Sequence, residues 1–338
     1  MGERFISVLG QINDTETPLV REGCPSFLGV PVARTKEDLK GADAAIIGIP
    51  YERPATPGRP PGQWTGYRHG AEHARKFSLR YAGYLPELDI DVFEHARLVD
   101  YGDAEVWGVD VNQAVENVAR KVGEALEAGC RPITLGGFSP CATYAAIKGF
   151  SQATDGRVGV VSLDAHGDCL DREFGPRGSR EPSSATWQAR MWDHFQNIDS
   201  TRHVEIGMRG PRNIKEVVET YRRRGVRYLP TRSVHMMGLD RLCREELPRA
   251  FADVDRTWLH LDMDVLDIGA VPDWGDEPMG LSVFEVVRIV HEAAKAGVGG
   301  LSFVQIAPNS HAIGTVVSYI IVYLLAGWIE GGHIARRG

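Results

Sequence analysis

Short apolar runs recur along the chain, separated by stretches with a helical periodicity. Most of the runs are too short and too rich in β-branched residues for helices, and they end at Gly, Pro or Asp, as buried strands do. They are AAIIGIP (44–50), ARLVDYGD (96–103), RPITLGG (131–137), VGVVSLDAHGD (158–168), HVEIGMRG (203–210), WLHLDMDVLD (258–267) and GLSFVQIAP (300–308). Strands that alternate with helices predict a mainly parallel sheet with helices on both faces.

Two of the intervening stretches carry clear helix signals. In 111–126, five aliphatic residues recur every three or four positions and share one face, while charged residues lie mainly elsewhere. Ser282 and Glu285 have the spacing of a capping box, and Gly297 can end the helix that they open. A further helix is expected to begin after the Gly-Gly turn that follows the run 131–137.

The other stretches divide into helices and loops. A charged surface helix is predicted over 212–224 and an apolar helix over 311–330. The second is interrupted by Gly, Thr and Ser and is short for a bilayer span, so we expect a buried helix and no membrane partner. The Pro/Gly-rich stretch 53–62 and residues 168–186 are expected to be loops at the edge of the sheet where ligands bind.

Composition narrows the class of protein. The chain has 338 residues, 43% of them hydrophobic, and a formal net charge of −7. That charge argues against a nucleic-acid binder, which would need a basic face. The five cysteines lack metal-type spacing and the N terminus lacks a signal-peptide pattern, so we expect a reduced, cytoplasmic protein. Residues 1–40 are expected to form an N-terminal extension outside the main core, and 41–338 a single domain.

Acidic residues crowd the ends of two predicted strands. SLDAHGD places Asp164, His166 and Asp168 two residues apart, so in extended chain their side chains point to the same side. HLDMDVLD repeats this spacing with Asp262 and Asp264. If the two strands are neighbours, these side chains meet in one cleft and repel each other unless cations neutralise them. Oxygen ligands with an imidazole suit Mn²⁺, Ni²⁺, Fe²⁺ or Zn²⁺, and two such ions can share carboxylates.

Plainer interpretations exist for the same residues. A lone D-x-D pattern occurs as readily in caps and turns, but two clusters at strand ends in one chain favour a metal site. His260 precedes Asp262 by two positions and therefore faces the same way. It is either a further ligand or a packed strand histidine, and the packed histidine is favoured.

The motifs resemble those of the ureohydrolase family, which comprises arginases, agmatinases and other guanidino-compound hydrolases. DAHGD (164–168) and LDMDVLD (261–267) are similar to the two metal motifs of that family. Supporting similarities lie in 48–78, in VDYGD (99–103) and in GDEPMGLS (275–282). The resemblance runs from about residue 43 to 330. It implies an arginase-like, three-layer α-β-α fold with a mainly parallel sheet of about eight strands.

The resemblance also implies a set of roles. In the family, two Mn²⁺ ions, or Ni²⁺ in some members, activate a hydroxide that attacks a guanidinium carbon, and urea leaves with an amine. Asp164 and Asp262 would bridge the two ions, and Asp168 would complete one site. His166 and Asp264 would complete the other site. Glu277 would bind the guanidinium group of the substrate.

One turn departs from the family pattern. The family places a metal-binding His in a Gly-Gly-Asp-His-Ser turn, which aligns with GGFSP at 136–140, so Ser139 stands at the substituted ligand position. A serine hydroxyl is a poor ligand for these ions. We therefore expect one ion, or none, in this chain.

Two further departures remove charge and proton-transfer groups. Many members carry a His in the loop after the first metal motif, but EPSSATWQAR (181–190) has none, and Ser183 or Ser184 occupies the approximate place. The family usually has a Glu-x-Asn-Pro segment where this chain has VQIAPNSH (304–311), so Gln305 replaces the Glu.

Two functions follow from this pattern. The favoured one is a partner subunit with a degraded metal site, which assembles as a trimer or hexamer with a paralogous catalytic chain, as in biguanide (metformin-type) hydrolases. The alternative is a self-sufficient agmatinase or guanidino-acid hydrolase with an atypical mono- or dinuclear site. In both, the small-molecule partner is a guanidine-like compound and the reaction context is C–N hydrolysis.

Overall fold

Eight parallel strands form the central sheet of the chain. The computed structural model describes residues 17–52, 66–137, 141–173, 178–271, 277–308 and 311–337. The strands, in chain order, are β1 (Ala44–Ile49), β2 (Leu98–Asp103), β3 (Arg131–Gly136), β4 (Val158–Leu163), β5 (Ile198–Ile206), β6 (Arg227–Leu229), β7 (Arg256–Asp262) and β8 (Val298–Val304). The sheet that the apolar runs predict is therefore confirmed.

The spatial order of the strands is β6-β5-β4-β7-β8-β3-β1-β2, and every neighbouring pair is parallel. The first metal motif follows β4 and the second follows β7, so these two motifs lie side by side. Carboxyl ends of parallel strands share one edge of a sheet, and ligands bind at that edge. Strand order thus brings residues that are about 100 positions apart into one place.

Helices cover both faces of the sheet. Eight of them in the described chain have seven residues or more: α1 (Gly70–Ser78), α2 (Val111–Glu127), α3 (Thr143–Gln152), α4 (Trp187–His194), α5 (Lys215–Arg224), α6 (Thr231–Met237), α7 (Val283–Ala296) and α8 (His311–Glu330). One hydrophobic cluster joins one face of the sheet to α1, α7 and α8, and a second joins the other face to α2, α3, α4 and α5. Alternate strand residues supply the two clusters, as the two-residue period of a strand requires.

Helix ends follow the local chemistry of the sequence. Ser282 and Glu285 form the predicted capping box at the start of α7, and Gly297 ends that helix in the left-handed conformation. Asp110 caps α2 by accepting hydrogen bonds from the backbone of Asn112 and Gln113. These caps satisfy N–H groups that a helix start leaves without an intrahelical partner.

The apolar helix α8 lies in the core, as the sequence analysis expects. It is long and apolar enough to cross a membrane, and 78% of its most apolar window is buried within the chain. It packs against α7 and α1. A core helix that is apolar on most sides needs neighbours on most sides, and these two helices provide them.

The N-terminal segment departs from the expected extension. Phe27, Leu28 and Leu39 are fully buried in the hydrophobic clusters. The backbone N–H of Phe27 donates to Asp100 Oδ2 at 2.8 Å, and that of Leu28 donates to Ser78 Oγ at 2.6 Å. Burial of these large side chains joins the described part of this segment, from residue 17 to 40, to the core of the domain.

Other differences concern short or irregular elements. No apolar run predicts the three-residue edge strand β6. Strand β5 begins before the apolar run 203–210, and the sequence did not indicate its first half because most residues there are polar. Residues 53–62 lie outside the described residues. In the described part of 168–186 there is no regular helix or strand, as expected of a loop.

Candidate metal and active site

Two adjacent strand ends deliver the acidic residues to one place. Leu261 of β7 pairs with Leu163 of β4, so Asp262 and Asp164 follow at the same level of the sheet. Asp164, Asp262 and Asp264 are all buried. Each motif turns sharply after its first carboxylate, because Asp164 accepts from the N–H of His166 and Asp262 accepts from the N–H of Asp264. The turns hold the acidic side chains over the end of the sheet.

His166 lies between these carboxylates. Its Nδ1 is 3.0 Å from Asp264 Oδ2 and 3.7 Å from Asp164 Oδ1. One ligand atom from each of Asp164, His166 and Asp264 lies within 4.8 Å of the others, a spacing at which all three could bind one ion. The clustering expected from the two motifs is therefore present for three of the five predicted ligands.

The acid–base properties of the cluster fit a cation. Burial, followed by the charges of Asp168 and Asp264, raises the pKa of Asp164 well above its usual value. Burial and then Asp264 raise the pKa of Asp262 in the same way. Burial also disfavours the charge on Asp264, but the neighbouring His166 overrides this effect and lowers its pKa to about 2. These carboxyls are ionised together only at a cost that a divalent cation offsets.

Asp168 lies near this triad without belonging to it. Trp187 donates from Nε1 to Asp168 Oδ2 at 3.0 Å. Burial raises the pKa of Asp168 to about 7. The first metal motif thus supplies a second buried acid, oriented by a tryptophan from the start of α4.

Glu277 approaches the triad from a separate loop. Its Oε1 is 3.7 Å from His166 Nε2 and 3.9 Å from Arg212 Nε. Gly210 makes this approach possible, because a Cβ there would come within 2.4 Å of Glu277 Oε2. The Glu277 carboxylate is buried, and it lies beside His166, whose ring faces two aspartates. A carboxylate in this position can attract a flat, cationic group.

The chain is similar to known proteins over most of its length. The model of the Arginase family matches residues 42–325. The chain belongs to the Arginase family. Its homologues include the mitochondrial agmatinase of Gallus gallus, 26% identical over 312 residues that cover 90% of this chain and 86% of that protein. The guanidinobutyrase of Pseudomonas aeruginosa is 23% identical over 315 residues, which cover 91% of this chain and 94% of that protein.

A solved structure supports the fold. The crystal structure of Trypanosoma cruzi formiminoglutamase with Mn²⁺ superposes with a TM-score of 0.75 at 24% identity, covering 90% of this chain and 98% of that one. The arginase-like, three-layer arrangement that the resemblance implies is therefore confirmed.

Within this Arginase-family site, Gln305 bonds to both aspartates of the second motif. Its Nε2 donates to Asp262 Oδ2 at 2.9 Å and to Asp264 Oδ2 at 3.3 Å, while its Oε1 accepts from Tyr67 at 3.2 Å. The backbone of Gln305 has φ = 59°, a strained conformation for a residue with a side chain. The neutral amide thus turns the partly positive hydrogens of its NH₂ group toward both carboxylates.

Arg209 is a residue that sequence reasoning did not single out. Its guanidinium donates to the backbone carbonyls of Asp264, Val265 and Leu266 in one loop, and to those of Glu277 and Pro278 in another. The available signal was its position near the end of the apolar run 203–210, at the edge where the site was expected. Arg209 joins the second metal motif to the Glu277 loop.

Serines are predicted to stand at two places where the family has a histidine, and the structure describes one of these places. Ser139 lies outside the described residues. Ser183 is buried, and its hydroxyl bonds to Thr186 Oγ1 at 3.1 Å and accepts from the N–H of Ala185 at 3.3 Å. Those contacts stabilise the turn before α4, so Ser183 is a structural residue of that turn.

Proposed function

We propose that this chain binds a divalent ion and hydrolyses a C–N bond of a guanidino-type compound. The observation that carries the proposal is the triad of Asp164, His166 and Asp264, in which one imidazole nitrogen faces two buried carboxylates. Carboxylate oxygens with one imidazole suit Mn²⁺ or Ni²⁺. A bound ion of this kind would supply Lewis acidity and would lower the pKa of water.

The chain's own residues account for binding and orientation. Glu277 would accept hydrogen bonds from the guanidinium group of the substrate, and Arg209 would hold its loop beside the second metal motif. In the overall reaction one water molecule adds across the C–N bond, giving urea and an amine. Asp168, held by the indole N–H of Trp187, would add a further carboxylate beside the triad.

The substrate class follows from charge and from the relatives. A cluster of buried carboxylates selects a cationic partner, and a guanidinium group presents several N–H donors in one plane. The relatives named agmatinase and guanidinobutyrase support the same class.

A second candidate is a partner subunit in a mixed trimer or hexamer with a catalytic paralogue. It is favoured by Gln305, whose amide donates to two carboxylates that an ion would otherwise neutralise. The serine at position 139 favours it as well. The substrate would then be a guanidine or biguanide hydrolysed mainly by the other chain.

The test measures ion binding and hydrolysis by the purified chain alone. We expect Mn²⁺ or Ni²⁺ to bind, and urea to be released from agmatine or a guanidino acid, with both lost in His166→Ala. His235→Ala removes an exposed histidine that pairs with Glu285 of α7, and it is the matched control. Ion binding without urea release, together with activity only after co-expression with a paralogue, would favour the partner subunit. No binding of either ion would overturn the proposal.

A further inference from the structure

A row of buried polar residues crosses the sheet one level below the carboxylates. Thr134, Ser302, His260, Ser162 and Glu205 pair in register across the five adjacent strands β3, β8, β7, β4 and β5. All five are almost completely buried. Burying a polar side chain costs free energy unless it has a hydrogen-bond or ligand partner. Each residue of this polar row is therefore expected to have such a partner.

His260 occupies the centre of the polar row and has one nitrogen engaged. Its Nδ1 lies 2.8 Å from Thr143 Oγ1 and 3.4 Å from Ser302 Oγ. The rings of Trp187 and His260 pack in a T-shaped pair, with 4.7 Å between their centroids. These contacts fix the orientation of the imidazole, as the outer partners of metal-binding histidines commonly do.

The other nitrogen of His260 points at a carboxylate of the triad. His260 Nε2 lies 3.8 Å from Asp164 Oδ2. Neither atom has a hydrogen-bond partner among the residues that the structure describes. At 3.8 Å the two atoms are too far apart to bond to each other. Two ligand atoms that each lie about 2.1 Å from one ion can be separated by this distance.

We propose that His260 is a metal ligand, and that its Nε2 and Asp164 Oδ2 bind the same divalent ion. His260 would supply an imidazole from β7, below the carboxylates. It would thereby replace the histidine that the sequence lacks at position 139. This inference rests on the proposed function. It places the ion of His260 at Oδ2 of Asp164, whereas His166 lies beside Oδ1 of the same carboxylate, so this ion is distinct from that of the triad.

The chemistry of the ring is suited to that role. His260 is almost completely buried in the sheet, where a neutral imidazole with one free lone pair is the stable form. A ligand imidazole must be neutral to coordinate. The hydroxyl of Thr143 at Nδ1 leaves Nε2 as the nitrogen available to an ion.

The experiment measures Mn²⁺ affinity by equilibrium dialysis and counts coordinated nitrogens by pulsed EPR. It compares the wild type with His260→Asn, whose short amide can still reach Thr143 but has no atom at the place of Nε2. We expect two coordinated imidazole nitrogens per chain in the wild type, one from His166 and one from His260, and one in the variant. Mn²⁺ should bind beside position 260 at least about 10-fold more weakly in the variant. His260→Gln, whose amide can approach the place of Nε2, is expected to recover part of the affinity.

His203→Asn is the matched control. His203 is also a fully buried strand histidine, but its Nε2 faces Ser162 and Glu205 instead of the triad. It should keep wild-type Mn²⁺ affinity and both nitrogens. Unchanged affinity and nitrogen count in a folded His260→Asn variant would overturn the ligand role of His260 and leave the proposed function standing. A wild type that binds neither Mn²⁺ nor Ni²⁺ would overturn the proposed function itself.

Discussion

The amide of Gln305 donates a hydrogen bond to Asp262 across 2.9 Å, at the point where an acidic residue would be repelled. The two residues come from the ends of neighbouring strands, β8 and β7. Asp262 is buried and its pKa is raised, first by burial and then by Asp264. The amide therefore stabilises the ionised carboxylate without any ion.

The exchange Gln305→Glu should convert this attraction into repulsion. We expect the ion-free protein at pH 8 to lose about 1–3 kcal/mol of unfolding free energy, because a donor is replaced by a like charge. Added Mn²⁺ should then raise the melting temperature by more than it does in the wild type. Thermal unfolding with and without Mn²⁺ measures both effects. Gln113→Glu, on the exposed face of α2, serves as the control, and equal Mn²⁺ shifts in all three proteins would contradict the expectation.

Arg209→Lys should destabilise the protein without changing its charge. A lysine cannot reproduce the several N–H bonds that the guanidinium directs at two loops, so buried carbonyls lose their partners. We expect a loss of about 2–4 kcal/mol in urea unfolding. Arg249→Lys alters an arginine that is about half exposed and bonds to Glu246, and it should cost less than about 0.5 kcal/mol. Similar costs for the two variants would show that the carbonyl contacts of Arg209 contribute little.

Glu205 should make stability depend on pH. Burial raises its pKa well above the usual value, although Gln188 and Tyr221 oppose the shift. The folded state then holds a proton that the unfolded state releases at about pH 4.5. Its contribution is therefore complete below that pH and is lost as the pH rises toward the folded-state pKa.

The variant Glu205→Gln removes this titration and keeps the shape of the side chain. Its melting temperature relative to the wild type should increase steadily between pH 5 and pH 8. Scanning calorimetry in metal-free buffer across that range measures the difference. Glu219→Gln, which removes a carboxylate on the exposed side of α5, serves as the control. A constant difference for Glu205→Gln would mean that Glu205 is ionised in the folded state at pH 5.

Glu277→Gln should separate substrate binding from ion binding. The change removes the charge that would meet a guanidinium group, and hydrogen bonds to charged groups are worth about 1.5–3 kcal/mol. We expect kcat/KM for a guanidino substrate to fall about 10- to 100-fold, measured with the chain alone or, if only that is active, with the chain co-expressed with a paralogue. The amount of bound Mn²⁺ should stay at the wild-type level. Steady-state kinetics with metal analysis checks both. Loss of the ion in this variant would place Glu277 among the ligands.

Local sequence patterns predict the parts of the structure that local physics decides. The capping box of Ser282 and Glu285 is formed by residues three positions apart, so its spacing can be read directly. The alternation of strands and helices likewise follows from periodicity. The convergence of Asp164 and Asp264 needs one further assumption, that the strands before them are neighbours, and the sheet meets it.

Other features depend on contacts between distant segments. Arg209 bonds to carbonyls more than fifty positions away, and backbone acceptors leave no mark in a sequence. The packing of Phe27 and Leu28 into the core has the same cause, since their partners Asp100 and Ser78 lie 73 and 50 positions further along. His260 is predicted only in part. Its position on the strand gives the direction of its side chain, but the sequence does not tell that Asp164, directly after the adjacent strand, lies opposite its Nε2.

His166 has one nitrogen toward the aspartates and the other toward Glu277. If an ion takes Nδ1, the remaining ring proton is on Nε2 and faces the Glu277 carboxylate across 3.7 Å. Binding of an ion at Nδ1 therefore alters the electrostatic environment of a ligand at Glu277, and binding of that ligand alters the environment of the ion. Such coupling is reciprocal: an ion that tunes the affinity for a guanidinium ligand must have its own affinity tuned by that ligand to the same degree.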